Sequence, residues 1–334
     1  MAYTTIDDPS AYFQTTIYTG NGNGSGQAIT HGGNSDLQAD FIWIKNRTDA
    51  ENHSLTDSVR GANKGMLSNS SDAETTDNSN GYLSSFNSDG FTTANAGVYN
   101  NASSKNYVSW NWKKVAGVFD IQTYSGASNT RTISHNLGSV PKAMIFKRFD
   151  EGAWIVYHAD AGGANKYLVL NTTAAVDTAT TLFNNTVPTS SVFSVGNTNS
   201  TNGSGIDYVV YLFGNKQGVS KMGSYTGNGN ADGTFVYTGF KPAFVMQKST
   251  TTTYGWQIYD NKRGGFNPEN DELVANLDSA ETDGSGNGFP DFYSNGFKLR
   301  NTDINKNASG VTYIYMAFAE NPFVTSTGVP ACAR

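Results

Sequence analysis

One cysteine, Cys332, stands in 334 residues, so no disulfide framework can form within the chain. Charged residues are sparse at 15%, and the formal net charge is −6, which argues against a nucleic-acid footprint. No apolar run reaches the length of a membrane helix, and membrane insertion is not expected. The opening Met1-Ala2-Tyr3-Thr4-Thr5-Ile6-Asp7-Asp8-Pro9 lacks a basic start and an apolar stretch, so no signal peptide is expected and synthesis in a cytoplasm is. Hydrophobic residues, at 37%, fall below the globular norm. Gly, Asn, Ser and Thr take up the deficit. Aromatic residues at 13% still supply a core, which separates the chain from disordered sequences. Short strands joined by many turns fit this composition.

One phrase occurs three times, about 100 residues apart. Phe41-Ile42-Trp43-Ile44-Lys45 is echoed by Ala143-Met144-Ile145-Phe146-Lys147 and by Ala243-Phe244-Val245-Met246-Gln247-Lys248. Each reads as a strand, and a continuous apolar run points to one covered on both faces or nearly so. The surrounding words recur in order. Tyr18-Thr19-Gly20, Tyr124-Ser125-Gly126 and Tyr225-Thr226-Gly227 open the units; Asn106–Lys113, Asp207–Phe213 and Thr312–Phe318 close them. The chain is therefore expected to be all-β, with three tandem β-sandwich repeats of jelly-roll or lectin-like kind. The expected division is an arm over 1–17, repeats over 18–116, 117–218 and 219–323, and a tail over 324–334. The arm is expected on the first repeat, or docked on a neighbouring subunit. Glycine-rich loops add ordering cost without burial, so packing between units or onto partner chains is expected to contribute to stability.

Differences among the repeats carry further information. Asp57 and Arg60 correspond to Asp260 and Arg263, whereas the second repeat has His158 and Ala161. Loss of both members together is what structural ion pairs predict, because removing one alone leaves an uncompensated charge; a shared binding site is the alternative. The lysines Lys45, Lys147 and Lys248 are expected to mark where each buried strand emerges into water. Trp110, Trp112, Trp154 and Trp256 are candidate ligand-facing residues, as sugar-stacking platforms, with core packing as the competing reading. Trp110 and Trp112 share one strand face.

No catalytic constellation and no metal site is expected. His31, His53, His135 and His158 have no second ligand at metal spacing. Asn228-Gly229-Asn230-Ala231-Asp232-Gly233 resembles the start of a calcium loop but lacks the distal bidentate acid, so a turn is the better reading. Asp89 precedes Gly90 and Phe91 where the third repeat has Asn295, so turn geometry accounts for it. No phosphate-binding loop and no nucleophile elbow is present, and no cofactor is implied.

Long phrases carry a resemblance. Tyr18-Thr19-Gly20-Asn21-Gly22, Trp43-Ile44-Lys45-Asn46-Arg47, Asp57-Ser58-Val59-Arg60-Gly61, Ser85–Phe91 and Tyr107–Lys113, with Gly223–Gly229, Phe235–Phe240 and Tyr313–Phe323, resemble a repeat in structural proteins of marine tailed bacteriophages, cyanophages among them. The second repeat departs most, lacking the Arg-Gly and Asp-Gly-Phe signatures. The resemblance implies a non-enzymatic virion protein on the exterior surface, tail-fibre-like and engaged in host attachment. A capsid-decorating or head-fibre protein is the alternative, and a glycan-binding lectin a further one. The expected partners are other virion proteins of tail or capsid, further copies of the chain as a homotrimer, and a host-surface glycan.

Overall fold

The computed structural model describes residues 3–76, 78–283 and 290–332; the first two residues of the arm and the last two of the tail lie outside them. The chain is all-β. Strands β1 (Phe13–Thr19), β2 (Ala28–Ile29), β3 (Phe41–Asn46), β4 (Ser54–Asp57), β5 (Met66–Leu67), β6 (Leu83–Asn87), β7 (Gly90–Thr93) and β8 (Asn106–Trp112) come from the first repeat. The second supplies β9 (Phe119–Ser125), β10 (Arg131–Ser134), β11 (Ala143–Arg148), β12 (Ile155–His158), β13 (Lys166–Val169), β14 (Asp177–Thr178), β15 (Val192–Val195) and β16 (Asp207–Phe213). The third supplies β17 (Ser220–Thr226), β18 (Phe235–Tyr237), β19 (Phe240–Ser249), β20 (Gln257–Asp260), β21 (Asp271–Val274), β22 (Thr282–Asp283), β23 (Asp291–Tyr293), β24 (Gly296–Lys298) and β25 (Thr312–Pro322).

The strands assemble into three large antiparallel sheets of matching order: β1-β8-β3-β4-β5, β9-β16-β11-β12-β13-β14 and β17-β25-β19-β20-β21-β22. Three small sheets accompany them, β2-β7-β6, β10-β15 and β18-β24-β23. The thrice-repeated phrase forms β3, β11 and β19, each inside its large sheet. Alternation along these strands divides the side chains between two cores. Phe41 and Trp43, Ala143 and Ile145, and Phe244 and Met246 enter one cluster shared by all three repeats. Ile42 and Ile44, Met144 and Phe146, and Val245 face separate outer clusters. Those outer clusters hold small-sheet residues such as Phe91, Phe193 and Phe297. Coverage on both faces explains the continuous apolar run.

The shared core has a threefold-like centre. Trp112, Phe213 and Phe318 occupy matching places on β8, β16 and β25, and their rings contact one another at 6.3, 5.6 and 6.0 Å. The three repeats are thus packed around a common core.

One expected boundary moves. The limit at residue 17 falls inside β1, which pairs with β8 from Phe13↔Trp112 onward. The arm rests on the third repeat and the end of the second as well as on the first. Tyr3 donates to the Gly239 carbonyl at 2.9 Å, and Thr4 to that of Gln217 at 3.0 Å. Asp8 accepts from Ser35 in the first repeat at 2.5 Å, and Asp7 from Ser326 in the tail at 2.6 Å. The arm thereby spans the joint between the first and last repeats.

The β6–β7 hairpin depends on Gly90. Its φ is +106°, and a Cβ there would stand 1.9 Å from the Ile29 carbonyl oxygen. Gly296 makes the same approach to Val236, with 2.1 Å available to a Cβ. Asp89 accepts from the Leu37 N–H at 3.2 Å, so it shapes the turn. Among the described residues no helix is long and apolar enough to cross a membrane.

Candidate functional site

The joints between repeats concentrate the buried polar chemistry. Asp57 and Arg60 form a buried ion pair at 2.5 Å, and Arg60 reaches Glu74 at 3.1 Å. Asp260 and Arg263 pair at 2.5 Å, and Arg263 reaches Glu281 at 3.0 Å. The first carboxylate also accepts two backbone N–H groups, from Val59 at 3.1 Å and Arg60 at 2.9 Å. Burial alone would lower the Arg60 and Arg263 pKa values, but the adjacent carboxylates hold both above the ordinary guanidinium value. The expected pairs are therefore present. Sequence comparison missed their third member: Glu74 and Glu281 correspond to Val176 in the second repeat, where Ala161 replaces the arginine.

Each buried aspartate also crosses to another repeat. The Tyr211 hydroxyl of the second repeat donates to Asp57 at 2.8 Å, and the Trp110 indole N–H of the first donates to Asp260 at 3.0 Å. Trp110 and Tyr211 occupy matching places on β8 and β16; β25 has Met316 there, which has no donor. The aspartate that would face Met316 is replaced by His158. Its Nδ1 accepts from the Asp160 N–H at 3.2 Å, which leaves Nε2 to donate to the Tyr315 carbonyl at 3.2 Å.

Two further rings of hydrogen bonds close around the molecule, running in opposite senses through the same three joints. Trp154 donates to the Leu67 carbonyl at 2.9 Å, Trp256 to that of Val169 at 3.1 Å, and His53 to that of Val274 at 3.1 Å. The acceptors are the last residues of β5, β13 and β21. His53 Nδ1 accepts from the Trp43 indole at 2.9 Å, which fixes the proton on Nε2. Backbone bonds run from Glu74 to Phe149 at 2.6 Å, from Val176 to Thr250 at 2.9 Å and from Glu281 to Arg47 at 3.0 Å. Arg47 adds an ion pair to Glu281 at 2.6 Å.

The proposed sugar platforms are therefore corrected. Trp110, Trp112, Trp154 and Trp256 are at most 2% exposed. Trp112 lines the common core, and the other three spend their N–H groups across joints, so none presents a face to a ligand.

The terminal lysines are corrected too. Lys45, Lys147 and Lys248 are fully buried. Each ammonium turns back into the loop that follows its strand and donates to main-chain carbonyls. Lys45 bonds Asn46 at 2.6 Å, Lys147 bonds Asp150 at 2.9 Å, and Lys248 bonds Ser249 at 2.9 Å and Thr252 at 3.0 Å. Burial pushes all three pKa values down to about 8. A lysine after an apolar run ordinarily snorkels to water; here the tight loop offers carbonyls that replace the water.

Each joint leaves an open groove on its outer side. In one, of about 380 Å³, Arg60 and Lys64 face Tyr124 and Asp207. A second, of about 300 Å³, sets Asn261 and Lys262 opposite Gln14. The third, of about 400 Å³, lies between Lys142 and Asp160 of the second repeat and Lys221, Phe235 and Tyr237 of the third.

A family model described as a domain of unknown function, DUF7483, matches residues 8–322. The chain belongs to this family. No curated protein and no solved structure matches it. The DUF7483 match begins ahead of β1 and ends on the last residue of β25, so it takes in all three large sheets and every joint.

Within the DUF7483 match, the calcium-like loop and the remaining histidines have local roles. Asn228 accepts from the Asn230 N–H at 3.0 Å, and Asp232 pairs with Lys298 at 2.5 Å, as a braced turn does. His31 is buried against Thr16 at 2.9 Å, and burial lowers its pKa to about 4. His135 contacts the Thr189 carbonyl through Nε2 at 3.1 Å. Among the described residues no group of three or more His, Cys, Asp or Glu side chains is placed to hold a metal ion.

Proposed function

We propose that the chain is a non-enzymatic structural protein of a tailed-bacteriophage virion, displayed on the exterior and tail-fibre-like, with a part in host-surface attachment. One observation carries the reading. Six buried groups capable of chemistry, Asp57, Arg60, Asp260, Arg263, His53 and His158, are engaged in joints between repeats. They serve a rigid body and leave its loops and grooves for contact. The phrase resemblance to phage structural repeats supplies the setting. Gold-labelled antibody against the chain, applied to purified virions, is expected to decorate tails, and the same antibody is expected to block adsorption to host cells. Head-only labelling, or unimpaired adsorption with saturated tails, would count against the attachment role.

The threefold-like ring favours a second reading, a capsid-decorating or head-fibre protein. One copy of a body with this symmetry can engage three equivalent sites around a local threefold point of a shell. In that case the antibody decorates heads.

A further inference from the structure

The three joints are alike in their buried rings and unlike in what their grooves display. The outer face of β18 differs most. Val236 faces inward and pairs with Phe297, as Ile29 pairs with Phe91 and Ile133 with Phe193. On that register the flanking outward positions are Ala28 and Thr30 in the first repeat and Thr132 and Ser134 in the second. In the third they are Phe235 and Tyr237, 44% and 48% exposed. Two large aromatic side chains thus stand in water where the matching sheets carry small ones.

The surroundings narrow the occupant. Phe235 and Tyr237 border the groove of about 400 Å³ between the second and third repeats. Tyr237 and Lys221 also border an adjoining depression of about 300 Å³, so the two form one open cleft with Tyr237 and Lys221 at its waist. Lys221 holds its ammonium 5.9 Å from the Tyr237 ring centre. The Tyr237 hydroxyl meets that of Tyr3 at 2.9 Å, which fixes the ring. Lys142 and Asp160 stand on the opposite wall, and Ser224 donates to Asp160 at 3.2 Å. Neither lysine has an ion-pair partner among the described residues.

We infer that this cleft is a binding site for a saccharide bearing an acidic group. A sugar ring has one apolar C–H face, which suits an exposed, immobilised tyrosine ring, and hydroxyls, which suit Asp160. Two lysines against one carboxylate add a net positive demand that a uronate carboxylate or a sulfate ester meets. An open, shallow cleft suits a chain lying across it better than a small enclosed ligand. The inference rests on the host-attachment reading and names the chemistry that reading lacks.

The test uses the full chain and two probe sets: hexuronate tetrasaccharides with their carboxyl-reduced counterparts, and sulfated hexose tetrasaccharides with their desulfated counterparts. Calorimetry is expected to show saturable binding to an acidic probe, weakening with added salt, and at least tenfold weaker binding to its neutral counterpart. Which set binds separates carboxylate from sulfate. The double variant Phe235→Thr/Tyr237→Ser installs the second repeat's residues and is expected to lose at least tenfold in affinity. Lys142→Gln/Lys221→Gln is expected to abolish the preference for acidic over neutral probes. Tyr237→Phe removes the contact to Tyr3 but keeps the ring, and is expected to bind within threefold of the parent. Unchanged melting of each variant shows that the fold is intact. Parent-like binding by the double variant, equal binding of neutral probes, or no binding of either set at millimolar concentration overturns the inference. Virion labelling is independent: tail labelling without saccharide binding sinks only the cleft, and saccharide binding by a chain absent from virions sinks only the attachment reading.

Discussion

The Trp110 indole N–H donates to the Asp260 carboxylate at 3.0 Å, across the joint between the first and third repeats. The Tyr211 hydroxyl does the same for Asp57 at 2.8 Å. Where the donor position holds Met316, the acceptor position holds His158, and the arginine and second acid are gone as well. A buried carboxylate without its donor and counter-charge is costly, so the four positions change as one. Asp260→Ala leaves Arg263 buried with only Glu281, and a loss of about 3–5 kcal/mol is expected. Transplanting the second repeat's set into the first, as Asp57→His, Arg60→Ala, Glu74→Val and Tyr211→Met together, is expected to cost less than Asp57→Ala alone. Urea denaturation of the single and combined variants measures the difference.

The indoles give a second prediction. All five tryptophans are at most 2% exposed, so acrylamide is expected to quench native fluorescence little and denatured fluorescence strongly. Trp256→Phe retains most of the packing but leaves the Val169 carbonyl with only its longer bonds from Thr172 at 3.4 and 3.5 Å, at a cost of about 1 kcal/mol. Saccharide binding in the cleft is expected to leave the indole emission unchanged.

Much of the fold was legible from the sequence. The phrase beginning at Phe41, Ala143 and Ala243 marked three strands, and its continuous apolar character signalled two covered faces. Paired loss of Asp57 and Arg60 identified a structural ion pair. What periodicity cannot show is which strand of another repeat a side chain meets. Trp110 and Trp112 alternate as any half-buried strand does, and the face they share turns to a core built from all three repeats. Lys45 failed for a local reason. The pattern shows that a strand ends but not that the next loop folds its carbonyls over the ammonium. The exposed aromatics of β18 were hidden because Phe235-Val236-Tyr237 reads like any short strand.

Acid is expected to weaken the fold in a defined window. Burial lowers the pKa of His31 and His158 to about 4, and that of His53 well below its ordinary value. In His53 and His158, Nδ1 already accepts an N–H, so a second proton has no place to go. These groups stay neutral in the folded state while the unfolded chain takes up protons below about pH 6.5. The unfolded state then binds more protons, so stability falls as pH drops from 6.5 towards 4, by about 1.4 kcal/mol per pH unit for each such histidine. Urea midpoints at pH 7, 6 and 5 test the slope, and His158→Gln is expected to reduce it.

The lysines predict a slope of the same sign on the alkaline side. With folded values of about 8 against about 10.4 unfolded, the unfolded chain binds more protons between these limits. Stability is therefore expected to rise from pH 8 to about 9.5. Above pH 10 buried tyrosines reverse the trend, since burial raises Tyr107 to about 12 and the folded state then holds the extra proton. Lys248→Met is expected to flatten the rise. It also strands the Ser249 and Thr252 carbonyls, at about 1–3 kcal/mol near neutral pH. Urea titrations of parent and variant at pH 7.5 and 9.5 measure both effects.

Ring closure makes a prediction about assembly. A head-to-tail interface that closes within one chain consumes the surfaces that three separate subunits would use. His53 to Val274, Trp154 to Leu67 and Trp256 to Val169 already complete the circle. The isolated chain is therefore expected to scatter light as a 35.8 kDa monomer, and a homotrimer would show that another surface drives association. The same geometry denies independence to a single repeat. The second repeat alone would expose Phe119, Ile121, Ile145, Trp154, Tyr211 and Phe213, all of which lie in the shared core. Each buried side chain of this size contributes roughly 1.5–3 kcal/mol, against a net domain stability of about 5–15 kcal/mol. A fragment over 117–218 is expected to aggregate or to lack cooperative unfolding by calorimetry. A sharp two-state transition in that fragment would mean that its own small sheet suffices, and that the common core couples repeats already stable by themselves.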